Sequence, residues 1–310
     1  MNFIEKRIQT SIFANSSSNY IKLNDHDIRN DNTIFQFDNV FNEENTFKNM
    51  YDQSVRKCFQ EFYQGENATF FLYGNADKHI EEFFLKVLSE FFEEVFNSNI
   101  QIQVSILSFE KSGIYDKLSN ENRSLTIKEV MGVIMPFDLE LIRINDLISA
   151  TNIIGSIKSK LHKDQHIIYQ ITDINQKNNI RLVMMKCTKN NHHDFLALQN
   201  ISKIIIEKKK QEQTKKIPYR LSKLSHYLKD SFEGNNKSLF FAIIGSDDGE
   251  NSFDIVTLLA NLKEIINVRK FSQTNDYVNC IFEVKFIFIQ IKKKDILIIQ
   301  QFQEYFCILS

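Results

Sequence analysis

The chain is predicted to be an α/β protein, a three-layer domain with a central, mostly parallel sheet flanked by helices. The run "ATFFLY" (68–73) is continuously apolar over the length of a strand, as a strand covered on both faces must be. Ile80, Phe83, Phe84, Val87, Leu88, Phe91, Phe92, Val95 and Phe96 then follow the i, i+3, i+4, i+7 spacing of a helix with one buried stripe. A second strand run, "IQIQVSILSF" (100–109), comes directly after, and a crossover of this length predicts a right-handed parallel unit.

The remaining elements fit the same architecture. "NTIFQFDNVF" (32–41) alternates apolar and polar residues as a strand does, and "ENTFKNMYDQSVRKCFQEFYQG" (44–65) takes up helical spacing that Gly65 ends. A short strand pair is expected around "SLTIKEVMGVIM" (124–135), a helix near "INDLISATNIIGSIKS", and strands at "HIIYQITDI" (166–174) and "IRLVMMKC" (180–187). Next come a helix through "DFLALQNISKIII" (194–206), a lysine-rich loop, a helix ending near "KLSHYLKDSF", a strand "SLFFAII" (238–244) and a last amphipathic helix, "FDIVTLLANLKEII". After residue 270, "VNCIFEVKFIFIQIKKKDILIIQQF" (278–302) reads as two strands around a turn at Lys292 to Asp295.

Composition narrows the function classes. At 43% hydrophobic and 25% charged, the chain has the balance of a soluble globular protein rather than a disordered one. A formal net charge of −1 excludes a global field that would draw the whole protein onto nucleic acid or an anionic membrane. Any electrostatic partner is therefore met by a local patch. No signal-like or membrane-spanning stretch is present in the sequence, so neither secretion nor a membrane span is expected. Cys58, Cys187, Cys280 and Cys307 are scattered without a framework spacing, which predicts reduced, buried thiols and a cytoplasmic setting.

One segment is more specific. "KIPYRLSKLSHYLKDSFEGNNKSLFFAIIGS" (216–246) resembles the stretch of kinesin motor domains that reads PYRDSKLT, a leucine-spaced helix, GGNSKT and a core strand. "FQFDNVFNEENTFKNMY" (35–51), "GENATFFLYG" (65–74) and "VSILSFEKSGIYDKL" (104–118) are similar to further family elements in the same order, so the resemblance covers about residues 32–265. It implies a P-loop NTPase-type fold over 32–270, with 1–31 a divergent N-terminal part of the core and 271–310 a β-rich extension. The family's R-x-R-P segment, which lines the adenine pocket, is missing near the N-terminus.

The family's chemistry needs glycines that turn amides inward, a lysine on the terminal phosphates and a hydroxyl on magnesium. Laid from Gly74, the phosphate-loop pattern falls on Asn75, Ala76, Asp77, Lys78, His79, Ile80 and Glu81, so only the first glycine survives. Ile80 stands at the lysine position, Glu81 at the hydroxyl position and His79 at a glycine. Asp77 reads instead as the N-cap of the following helix, and Glu81 and Glu82 suit the positive end of its dipole.

The switch elements agree. His162, Lys163, Asp164, Gln165 and His166 stand where the family has S-S-R-S-H, and only the last residue matches. In L-V-D-L-A-G-S-E, Met184 replaces the aspartate of the magnesium shell, a poor exchange for a hard cation, and Cys187 replaces the glycine that senses the γ-phosphate. ATP and magnesium are thus not expected as cofactors, and no residue is expected to be catalytic. Asp164 and Lys189 hold the family's switch ion pair with signs exchanged: either a fixed structural bridge or two surface charges.

The resemblance implies that Lys208, Lys209, Lys210, Lys215, Lys216, Arg220 and Lys223 face tubulin, whose surface is acidic; the alternative is a solvated lysine loop. Cys187, His192 and His193 lack a fourth ligand, so no metal site is expected. The reading that follows is a non-hydrolysing pseudo-motor that binds microtubules, a catalytic kinesin subunit or another protein. The competitors are an active ATP-driven motor with an atypical phosphate loop and a structural component of stable arrays such as cilia.

Overall fold

The run at 68–75 lies inside a ten-stranded mixed sheet with helices on both faces. A computed structural model describes residues 5–268 apart from 8, 15–19, 31–32, 76–77, 120–122, 131–132, 163, 189, 212–215, 234–235 and 245–248. In chain order the elements are β1 (Glu5–Arg7), β2 (Gln9–Ala14), β3 (Ile21–Lys22), β4 (Asp27–Asn30), β5 (Thr33–Gln36), β6 (Asn39–Phe41), α1 (Phe47–Met50), α2 (Arg56–Tyr63), β7 (Ala68–Asn75) and α3 (Lys78–Asn97). There follow β8 (Ile102–Glu110), β9 (Gly113–Asp116), β10 (Ser124–Leu125), β11 (Ile127–Val130), β12 (Val133–Pro136), β13 (Ile142–Ile144), α4 (Leu147–Lys158), β14 (His166–Asp173) and β15 (Asn179–Cys187). The last are α5 (His192–Gln211), α6 (Lys223–Tyr227), α7 (Lys229–Phe232), β16 (Lys237–Ile244), α8 (Gly249–Lys263) and β17 (Ile266–Val268). A π-helical stretch, Tyr51–Val55, joins α1 to α2, and Gly65 at φ +85° ends α2 where an L side chain would be strained.

The strand order is β10-β9-β8-β14-β15-β7-β16-β2-β6, with β13 beside β8. From β6 to β15 all neighbours are parallel; from β15 to β10 all are antiparallel. β7 and β8 run in the same direction, but they are not neighbours, which corrects the simple parallel unit expected of them. The hairpin β14–β15 lies between them, because β14 pairs along the length of β8 from His166 opposite Phe109 to Asp173 opposite Ile102. The N-terminal segment supplies β2, an interior strand between β16 and β6. The 32–41 run divides into β5, in a small sheet with β3 and β4, and β6, in the large one; between them the Asp38 carboxylate accepts a 2.8 Å bond from the Thr10 amide. The expected strands at 278–302 lie outside the described residues.

Strand alternation sorts the core into two layers. On β15, Leu182 and Met184 face the cluster built with α2, α3 and α4, whereas Val183, Met185 and Cys187 face the one built with α5, α6 and α8. The phenylalanines fill the first of these densely. Phe91 of α3 meets Phe59 at 4.8 Å and 74°, and Phe62, Tyr63 and Phe92 within 6.2 Å. Among the described residues no helix is long and apolar enough to cross a membrane.

Candidate functional site

Parallel α/β sheets bind ligands beyond the carboxyl ends of their strands. Here that edge is formed by the ends of β7, β15 and β16, with Gly74 in register with Lys186 on one side and Ile243 on the other. A Cβ at Gly74 would stand 3.0 Å from the Ile243 carbonyl oxygen and 3.3 Å from Ile80 Cδ1. The glycine therefore lets strand and helix pack closely. Ile80, where the resemblance would put a phosphate-binding lysine, is fully buried in the α3-side core. Asp77, expected as the N-cap, lies outside the described residues, as do the side chains of Lys78 and His79.

Glu81, in the first turn of α3, makes an ion pair with Lys186 Nζ. The Lys186 side chain is 1% exposed and also donates to the His162 carbonyl oxygen at 3.3 Å. The helix dipole alone does not account for Glu81: its partner is Lys186, which was not among the expected site residues. The signal was present: two cations, Arg181 and Lys186, in the run "IRLVMMKC", which otherwise has the character of a buried strand, each require a partner, and Arg181 meets Asp230 at 3.7 Å.

The other positions expected of a vestigial nucleotide site are also committed to structure. Met184 is 1% exposed and packs under α3. Cys187 is buried and bonds with the Tyr73 hydroxyl, whose pKa is raised by burial first and by Cys187 beside it. Asp164 accepts a 3.0 Å bond from Asn190 Nδ2, while Lys189, its expected partner, lies outside the described residues. His192 packs on Phe195 and His193 turns to Asp194 at 3.5 Å; among the described residues no cluster of His, Cys, Asp and Glu could hold a metal ion. These residues do not fit a magnesium nucleotide: the lysine site is core, the hydroxyl site is a carboxylate already paired, and the aspartate site is a buried thioether.

A second candidate region lies where α5, the Tyr219–Leu221 turn, α6 and the β11–β12 hairpin meet. Lys208, Lys216, Arg220 and Lys223 are exposed; Lys209 and Lys210 belong to α5, and Lys215 is outside the described residues. Glu129 of β11 takes Lys229 at 3.2 Å and Arg220 at 3.4 Å, with the His226 ring at 3.8 Å; Lys229 first, and Arg220 after it, hold its carboxyl below the usual range, while burial lowers the pKa of His226. An open cleft of about 410 Å³ is lined by Phe109, Lys111, Ile127, Asp194, Arg220 and Lys223, among others.

Asp194 forms the cleft's buried carboxylate. His166 approaches it at 3.4 Å without a well-aligned hydrogen bond, and Ser222, the cap of α6, also contacts it. Burial pushes the Asp194 carboxyl up, but His166, Ser222 and His193 outweigh it, and the net shift is downward. The folded value is thus below the unfolded one, so this stability is present above about pH 4 and is lost as pH falls through the folded value. Urea denaturation should find wild type more stable than Asp194→Asn at pH 7, with the gap closing toward pH 3. A gap that widens in acid would refute the assignment.

Compared with models of known protein families, the chain matches none.

Proposed function

We propose that this chain is a kinesin-motor-like domain without ATPase activity, kept as a binding module for an acidic protein surface, the microtubule wall foremost. The observation that carries the reading is the filled ligand edge: Ile80 buried in the core and Glu81 occupied by Lys186 where a phosphate loop would need a lysine and a hydroxyl. The mixed sheet with helices on both faces is compatible with such a domain. The partner class rests on the exposed Lys208, Lys216, Arg220 and Lys223, four cations within one short stretch of sequence on a chain whose net charge is only −1, Arg220 also reaching Glu129.

Two measurements test the two halves separately. Isothermal calorimetry with Mg-ATP and Mg-ADP is expected to give no heat of binding; micromolar affinity with microtubule-stimulated hydrolysis would overturn the pseudoenzyme reading. Co-sedimentation with microtubules is expected at low salt and to fall steeply above about 0.15 M, where the screening length is roughly 8 Å. Exchanging Lys208, Lys216, Arg220 and Lys223 for glutamine should weaken it by about tenfold or more and flatten its salt dependence, since rim charges set the rate of encounter. Absence of binding at low salt would remove tubulin as the partner.

A further inference from the structure

We infer that the Lys186–Glu81 pair is a built-in latch that ties the end of β15, the first turn of α3 and the loop before β14 together, and that it holds the sheet's ligand edge in one arrangement. The inference rests on the reading above that the domain does not use a nucleotide. Three segments converge on one ammonium: the end of β15 through Lys186 itself, the first turn of α3 through Glu81, and the loop before β14 through the His162 carbonyl. In an α/β domain gated by a ligand, the segments at this edge rearrange because the ligand's charges bind them in one state and release them in another. Here the bridging charge is covalently part of a core strand. It is always present at the same place, so no ligand is needed to close the edge and none leaves to open it.

The burial of the two partners is unequal, and this makes the latch testable. The Lys186 side chain is 1% exposed and that of Glu81 28%. Removing the carboxylate strands a buried ammonium, whereas removing the ammonium leaves a carboxylate that still reaches water. A buried pair broken from one side is strongly destabilising, while replacing both members by apolar groups is often neutral. A mere surface decoration would show neither behaviour.

The test uses the full chain as Glu81→Leu, Lys186→Met and the double variant, followed by thermal unfolding and by native-state hydrogen exchange. Glu81→Leu should lower the melting temperature by roughly 10 °C, Lys186→Met by less, and the double variant should recover most of the loss. Amides at 78–84 and 160–166 should exchange at least tenfold faster in Glu81→Leu, while those of the β11–β12 hairpin keep their wild-type rates. Additive losses in the double variant, or faster exchange spread evenly over the domain, would overturn the latch. Mg-ATP added to wild type is a separate arm. Protection by it would refute the nucleotide-free reading, and the coupling between Glu81 and Lys186 would still be read independently from the variants.

Discussion

Ile80→Lys, which would place a lysine where the proposed reading expects a phosphate loop's lysine, is expected to unfold the domain rather than to create a nucleotide site. Ile80 is fully buried, and its Cδ1 stands 3.3 Å from where a Cβ on Gly74 would be. An ammonium placed there enters the α3-side core, and the nearest carboxylate on the helix, Glu81, already serves Lys186. A buried, unpaired charge costs several kcal/mol even after it gives up its proton, so a loss of about 4 kcal/mol or more is expected. Circular dichroism against urea measures it directly. A folded Ile80→Lys variant that binds Mg-ATP would mean that the edge is far more plastic than its packing indicates. It would also revive the reading of an active motor.

The second large effect lies deeper on the same helix. Phe91→Ala should cost about 3–5 kcal/mol, because the ring is fully buried and is surrounded by Phe59, Phe62, Tyr63 and Phe92. The aromatic neighbours are held by the π-helical stretch and α2 on one side and by α3 on the other, so little collapse into the space is available. Phe91→Leu keeps most of the volume and should cost appreciably less than the alanine. Equal losses for the two variants would indicate that ring geometry, rather than volume, holds α2 against α3.

Much of this fold was legible in the chain because its periodicities are strong. The α3 stripe from Ile80 to Val95, the apolar runs of β7, β14, β15 and β16, and the β11–β12 pair all appear where their spacing predicts them. What spacing could not reveal was strand order. Whether β7 and β8 are neighbours depends on where the β14–β15 hairpin inserts, and that is a non-local choice with no signal in either strand. That Ile80 and Glu81 lack a phosphate loop's lysine and hydroxyl was also legible. The Glu81–Lys186 pair was not. Glu81 and Lys186 are 105 residues apart in sequence, and only the parallel register of β15 with β7 brings the lysine beside the start of α3.

The interior position of the N-terminal strand bears on how the chain is made. β2 is made shortly before one neighbour, β6, yet its other neighbour, β16, is Lys237–Ile244. At about 5–20 residues per second, a ribosome needs roughly 10–40 s to travel from the end of β6 to the end of β16. During that interval β2 and β7 each expose an apolar edge that only β16 can cover, and both are suited to pairing with the wrong strand. The nascent chain therefore has a defined window in which a chaperone that shields strand edges would raise its yield, and that window closes when residue 244 clears the exit tunnel.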